Sequence, residues 1–256
     1  MHAHPNDTGN STAVEDFVDA IAHEVRTPLS IARMAAETAR RQDLGDAERE
    51  RLLGMIVRNT DLALLLLDRM SLARDVEAGS LQLQLTETDI APLVEETVED
   101  VRSLVLGDRP VHVEGSTTAP VEVDTTGLRE ILLNLLLNAA KYSPSHAPIE
   151  VSVGDEGDAV TVVVSDYGCG IPPEHLERIF EQYAQVEAKS SGIGLGLYIS
   201  RGLARAHGGD LEARPRGQRG SERGQRGSEF VLRLPRQRTE NDGEYAVNTP
   251  VGAVAE

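Results

Sequence analysis

From Val14 to Ala73 the chain places apolar residues every three or four positions, in two long runs separated by one short break. Val14, Phe17, Val18, Ile21, Val25, Leu29 and Ala32 mark the first run; Leu52, Leu53, Ile56, Val57, Leu62, Ala63, Leu66, Met70 and Ala73 mark the second. This period is one face of an α-helix. The break, Gln42–Asp46, contains Gly45 and has room only for a turn. The two helices are therefore expected to fold back as an antiparallel hairpin. Each carries a wide apolar stripe, and two helices alone bury too little surface to stand by themselves. The expectation for residues 14–79 is a dimer, in which two hairpins complete a four-helix bundle.

The period changes after Gly79. Leu81, Leu83 and Leu85 alternate with polar residues, a strand signal. Asp89–Leu106 returns to the helical period, with Asp89 placed to cap and Pro92 near the first turn. Val111–Val113 and Val121–Val123 read as short strands, and Thr125–Tyr142 as a helix. Ile149–Val153 and Val160–Val164 read as a strand pair around the turn GDEGD. Leu195–Ala206 reads as a helix stopped by Gly208 and Gly209. Leu211–Ala213 and Phe230–Leu234 read as the final strands. Strands and helices mix without strict alternation, so the fold class expected overall is α+β. Residues 80–235 should form an α/β sandwich with helices on one face of a mixed sheet. Residues 1–13 and 236–256 are polar and aperiodic, and read as a disordered arm and a flexible tail. One repeat stands out, GQRGSER at 217–223 followed by GQRGSEF at 224–230. Two copies of seven residues make no solenoid and fit a duplication in a surface hairpin.

Charge and composition narrow the function. The 256 residues carry 25 Lys and Arg against 42 Asp and Glu, a net charge of −17. That sign argues against a nucleic-acid partner, whose affinity comes largely from cations on phosphates. Aromatic residues are 3% of the chain, with no Trp, which also argues against base stacking. The single cysteine, Cys169, excludes an internal disulfide and fits a reducing compartment. No apolar run approaches the ~20 residues of a membrane-spanning helix. The opening MHAHPNDTGN lacks the apolar segment of a signal peptide. A cytoplasmic chain, or the cytoplasmic part of something longer, is expected.

Four clusters carry chemistry. In HEVRTPL, residues 23–29, the helical period turns His23 away from the apolar stripe, with Arg26 and Thr27 on its face. Pro28 lies inside the helix and should bend it beside His23. An exposed imidazole, the adjacent Glu24 and a local kink suit a nucleophile that needs room for a large donor. In REILLNLLLNAAKYS, residues 129–143, the helix is apolar nearly all round. Glu130, Asn134, Asn138, Lys141 and Tyr142 form one polar stripe along it. Such a stripe on a buried helix needs hydrogen-bond partners or a ligand. Asparagine oxygens suit Mg²⁺ and Lys141 suits a phosphate. In SDYGCGIP, residues 165–172, Asp166 can accept a hydrogen bond from an exocyclic amine, and the glycines let a planar ligand approach the backbone. In SSGIGLGL, residues 190–197, glycines precede a helix start, which makes a phosphate site. The spacing matches neither a dinucleotide fingerprint nor a P-loop.

Taken together and in this order, the clusters resemble the two-domain catalytic core of bacterial sensor histidine kinases, over roughly residues 14–235. The resemblance implies that His23 accepts a phosphoryl group, with Glu24 as base or orienting group. It implies that Thr27 orients a water in a later dephosphorylation. Asn134, Asn138, Lys141 and Tyr142 resemble the asparagine box, which implies Asn138 as the Mg²⁺ ligand. Asp166, Gly168, Gly170 and Ile171 resemble the adenine-binding box, with Asp166 on the adenine amine. ERIFEQY at 177–183 resembles the phenylalanine box, with Phe180. Gly192, Gly194, Leu195, Gly196 and Leu197 resemble the second glycine box at the hinge of an ATP lid, and GSEF at 227–230 the small glycine motif before the last strand.

On this resemblance, residues 14–79 are a dimerisation and phosphotransfer hairpin and residues 80–235 a Bergerat-type ATP-binding domain. ATP and Mg²⁺ are the implied ligands, and a homodimer and a response-regulator receiver domain the implied partners. The implied activity is autophosphorylation of His23 followed by transfer to a regulator aspartate. Where many family members carry an Arg after the phenylalanine box, this chain has Gln185, which predicts a slow autokinase. A serine kinase of the anti-sigma type would lack the HEVRTPL hairpin, and a nucleotide-binding scaffold would transfer no phosphate.

Overall fold

The computed structural model describes residues 8–41, 43–102, 106, 109–184, 194–216 and 227–236. It divides into two compact units, Met1–Leu72 with Ser191–Leu195, and Ala73–Ser190 with Gly196–Glu256.

The first unit holds helix α1 (Thr8–Ala39) and helix α2, which begins there and runs over Asp46–Glu77. Residues 8–13, read from composition as part of an unstructured arm, are helical in α1. Their polarity hid a continuation of the helix whose apolar stripe starts at Val14. The turn between the helices is closed by Arg49. Its Nη1 donates to the Ala39 carbonyl at 3.0 Å and its Nη2 to the Arg41 carbonyl at 3.2 Å, satisfying orphan acceptors at the end of α1. The hairpin leaves much of its apolar surface uncovered: Met34 is 64% exposed, Val57 59% and Leu64 54%. A groove of about 410 Å³ between the helices is lined by Ile31, Met34, Ala35, Leu52 and Met55 among others.

The second unit starts earlier than the change of period at Gly79. Ala73 and Val76, in the last turns of α2, are buried, and Val76 packs on Gly202, where a methyl group would overlap its side chain. Strand β1 (Thr86–Thr88), helix α3 (Ile90–Val101), strands β2 (Val111–Gly115) and β3 (Val121–Val123), and helix α4 (Thr125–Tyr142) follow. Strands β4 (Ile149–Glu156) and β5 (Ala159–Ser165), helix α5 (Gly196–Ala206), and strands β6 (Asp210–Pro215) and β7 (Ser228–Pro235) complete it.

A five-stranded sheet has the order β2-β4-β5-β7-β6, with β2 parallel to β4 and the other pairs antiparallel. The sheet is mixed, as expected. Val151, Val162, Val164, Leu211, Phe230 and Leu232 fall on one side of this register, and all are buried. On the other side Glu150, Ser152, Thr161, Val163, Ser165, Arg214 and Glu229 line a shallow polar groove of about 310 Å³. The helices therefore cover a single face. Under them, Ile90, Leu128, Ile131, Leu132, Leu135, Leu136 and Ile199 form the core at 1% exposure or less. Burying each such side chain contributes roughly 1.5–3 kcal/mol.

Two local expectations shift. The alternation at Leu81–Leu85 is real as burial, since Leu81 and Leu83 are buried. The ladder itself lies at Thr86–Thr88, because its partner is β3 and the register pairs Thr86 with Val123. The expected turn GDEGD shrinks to Gly157–Asp158. Gly154–Glu156 extend β4, and Glu156 pairs with Ala159. Gly157 alone of these glycines has a left-handed backbone, φ 65°, as a two-residue hairpin requires.

Helix α4 has the expected bounds because its ends are fixed. Asp124 accepts from the Gly127 N–H at 2.9 Å, and its other oxygen accepts from the Gln84 N–H at 2.8 Å. His207, buried at the end of α5, accepts from the Asp124 N–H on Nε2 at 3.0 Å. It faces the Leu203 carbonyl with Nδ1 at 2.7 Å. A backbone N–H can only donate and a carbonyl can only accept, so the ring is the neutral Nδ1-protonated tautomer.

The two glycines after α5 close it: the Gly208 N–H bonds the Arg205 carbonyl and the Gly209 N–H the Ala204 carbonyl. This is a Schellman motif, with Gly208 left-handed at φ 78°. A methyl group at Gly209 would overlap the Arg233 carbonyl of β7. Gly209→Ala should therefore destabilise the chain by ~1–3 kcal/mol. Gly154→Ala, with no atom within 4 Å of the new methyl, should stay within ~0.5 kcal/mol of the parent. Chemical denaturation of both variants checks this, and equal midpoints would refute the clash.

Candidate nucleotide and phosphotransfer sites

In the second unit, the polar stripe of α4 divides by depth. Asn134 is 6% exposed, and its Nδ2 donates to the Ser200 hydroxyl on α5 at 3.0 Å. Gly196, the first residue of α5, lies against the same amide, where a methyl would overlap Oδ1. Asn134 thus joins α4 to α5. Asn138, one turn on, is half-buried, and Lys141 and Tyr142 are exposed at the helix end. The Lys141 ammonium sits over the Tyr142 ring, 4.9 Å from its centre.

The end of α4 meets the turn that follows β5. Tyr167 N–H donates to the Ser143 hydroxyl at 3.2 Å. Gly168 passes so close to the Tyr142 carbonyl that a methyl group would overlap it. Asp166 is 4% exposed. One of its oxygens accepts from the Gly168 N–H at 2.7 Å, and its own N–H donates to the Ser228 carbonyl at 2.9 Å. Burial pushes the Asp166 carboxyl above the usual carboxylate range. Hydrogen bonds from the Gly168 and Ser228 N–H groups and the Ser228 hydroxyl, with the charge of Arg216, work against that rise. Gly227 presses on the Asp166 carbonyl, and Gly170 turns the chain at φ 78°. The structure thus joins two of the sequence clusters, the asparagine stripe and the Asp166 turn, to the GSEF motif.

Ile171 is half-buried and Leu197 likewise, while Leu195 is 3% exposed. Gly194 is left-handed at φ 74°. Gly192, Gln185 and the repeated heptad up to residue 226 lie outside the described residues. Phe180 is buried beneath Arg201 of α5, whose guanidinium carbon is 4.7 Å from the ring centre. Arg201 also binds Asp210 at 3.0 Å and Glu177 at 2.7 Å. Ser200, Arg201 and Ser228 were not among the expected site residues. Of these, only Ser228 had a sequence signal, the GSEF motif.

This arrangement can receive a planar base carrying an exocyclic amine, at a buried carboxylate beside glycine backbone. Among the described residues, no three His, Cys, Asp or Glu gather to hold a metal. A half-buried asparagine oxygen such as that of Asn138 still fits Mg²⁺, which keeps several waters and leans on substrate phosphates rather than on a protein cage.

In the first unit, Glu24 and Thr27 are exposed, and Pro28 lies within α1 with its ring buried. His23 belongs to the same helix; its side chain is outside the described residues.

Residues 13–78 match the family model of the His Kinase A (phospho-acceptor) domain, and residues 123–238 that of the histidine kinase-, DNA gyrase B- and HSP90-like ATPase. The probable sensor protein PcoS of Escherichia coli is 32% identical over 212 residues, which cover 80% of this chain and 45% of PcoS. Full-length ShkA in complex with AMPPNP superposes with TM-score 0.60 at 26% identity, over 89% of this chain and 47% of ShkA. The histidine kinase AdeS of Acinetobacter baumannii shares the fold, with TM-score 0.61 at 21% identity over 84% of this chain and 98% of AdeS. The chain spans about half or less of the length of the curated relatives PcoS, TorS and SasA.

Proposed function

The chain belongs to the two-component sensor histidine kinases, whose catalytic core it carries, and from that premise we propose that it is an ATP-dependent autokinase that phosphorylates His23. One observation carries the reading: a single chain joins a HEVRTPL helix to a nucleotide-type site with a buried carboxylate. Asp166 accepts the base amine, and Gly168 and Gly170 let the base lie on the backbone. Asn138 is the protein ligand for Mg²⁺, and Lys141 carries charge for the phosphates. The ion supplies charge neutralisation on those phosphates when bound.

In the transfer, the bond from the γ-phosphorus to the ADP oxygen breaks and a bond to an imidazole nitrogen of His23 forms. Glu24 holds the ring and takes up its proton. Positioning and charge stabilisation supply most of the rate. The exposed apolar residues of α1 and α2 fit a second copy completing a four-helix bundle. The phosphohistidine then passes its phosphoryl group to an aspartate of a receiver domain, and Thr27 orients the water that later hydrolyses the regulator's aspartyl phosphate, releasing inorganic phosphate. No helix among the described residues is long and apolar enough to cross a membrane.

Incubation with γ-labelled ATP and Mg²⁺ should place an acid-labile label on the chain. An acid-stable label, or none, overturns the reading. Asn138→Ala should lower the labelling rate at least ~100-fold with the fold retained, since Ala is a strong helix former. Unchanged labelling at limiting Mg²⁺ would remove Asn138 from the metal.

A further inference from the structure

The residue beside Asp166 is held by a closed triangle of side chains that none of the motifs includes as a unit. Arg216 follows β6, and its guanidinium carbon lies 3.2 Å from the centre of the Tyr167 ring. Its Nη2 donates to one oxygen of Glu150 at 2.6 Å, and the Tyr167 hydroxyl donates to the other at 2.6 Å. One carboxylate on β4 therefore fixes both the cation and the ring stacked under it. The main chain closes the same corner: the Arg216 N–H bonds the Gly227 carbonyl at 3.1 Å, and Gly227 lies against the Asp166 carbonyl.

The Arg216 side chain is only 10% exposed, and among the described residues its Nη1 is buried with no hydrogen-bond partner. Taking a guanidinium out of water is costly, and a buried cation calls for a reason beyond packing. The reason here is the neighbour. The Arg216 charge acts on Asp166 against the effect of burial, and the flat guanidinium clamps the ring of the very next residue. Lysine could supply the charge, but not a planar surface with a fork of donors.

We propose that Arg216, stacked on Tyr167 and paired with Glu150, is a positioning residue of the nucleotide site that holds the Asp166–Gly168 turn in the geometry that receives the base. The proposal rests on the reading of Asp166 as the base-binding carboxylate. It assigns Arg216 to nucleotide affinity and not to the transfer step, because its contacts are with the base end of the site.

The experiment measures ADP dissociation constants and autophosphorylation at varied ATP for Arg216→Gln, Arg216→Lys and Tyr167→Phe. Arg216→Gln should raise the ADP dissociation constant and the ATP KM about tenfold, while the rate at saturating ATP stays within about twofold of the parent. Arg216→Lys should recover only part of the affinity. Tyr167→Phe, which removes only the hydroxyl held by Glu150, should shift affinity in the same direction by a smaller factor. A merely structural role would lower the saturated rate along with the affinity, and that result would overturn the proposal. So would ADP binding equal to the parent in Arg216→Gln, or in Arg216→Lys and Tyr167→Phe should the Gln variant not fold. Asp166→Asn in the same assay separates the two levels. If it leaves ADP binding unchanged, the reading of Asp166 fails; if it abolishes binding while the Arg216 variants bind normally, only the proposal fails.

Discussion

His23→Gln is expected to take up no acid-labile label from γ-labelled ATP, a loss of at least ~1000-fold, while binding ADP as the parent does. The amide nitrogen of Gln is not a nucleophile, because its lone pair is delocalised into the carbonyl, whereas a neutral imidazole nitrogen keeps a lone pair available for phosphorus. Gln is also a good helix former, so α1 should retain its backbone through Thr8–Ala39. His23 lies in the first compact unit, and Asp166, Gly168, Asn138 and Lys141 lie in the second. Each unit has its own packing, so the loss should be confined to the acceptor. Labelling followed by acid and base treatment, with calorimetric titration of ADP, reads both halves. Acid-labile label persisting in the variant would move the acceptor elsewhere. Loss of ADP binding would show that the units do not function separately.

The proposed role of His23 is easy to reach from sequence for a physical reason. HEVRTPL sets a histidine, a neighbouring carboxylate and a proline within seven consecutive residues of one helix, and a helix converts that spacing directly into geometry. Helix α4 is legible for a similar reason: Asp124 caps it, it is apolar around all but one stripe, and its bounds follow from local chemistry. What depends on distant partners is not legible. Asn134 has the same residue type and nearly the same spacing as Asn138, yet one bonds Ser200 sixty-six positions away while the other stays half-buried. The stripe alone cannot say which asparagine is buried against α5 and which stays half-buried. The triangle of Glu150, Tyr167 and Arg216 has no local signature, because β4, the Asp166 turn and β6 meet only once the sheet has formed. In GDEGD both glycines signal a turn, but register with β5 decides which one turns. Gly154 pairs with Thr161 in the ladder, and Gly157 alone takes the left-handed backbone.

Asp166→Asn is expected to have two large effects of opposite sign. Nucleotide affinity should fall at least ~10-fold, because a neutral amide replaces a charged acceptor at the base amine. Stability without nucleotide should rise. The Asp166 carboxyl is 4% exposed, and burial raises its pKa above the ordinary 3.8 despite the Gly168 and Ser228 hydrogen bonds and the Arg216 charge. A carboxyl whose pKa is higher in the folded chain than in the unfolded chain favours folding in acid. That contribution is fully present below the unfolded value and is lost as pH rises through the folded value. Above its raised folded value the folded chain therefore holds an ionised group at a cost, which the amide does not incur. The melting temperature of Asp166→Asn should exceed that of the parent at pH 8, and the gap should narrow as pH falls toward 4. Thermal melts across that range, with ADP titrations at pH 8, check both effects. A variant that melts lower than the parent at pH 8 would mean that the three donors around the carboxylate stabilise the fold by more than its burial costs. Unchanged ADP affinity would mean that the base does not sit on Asp166.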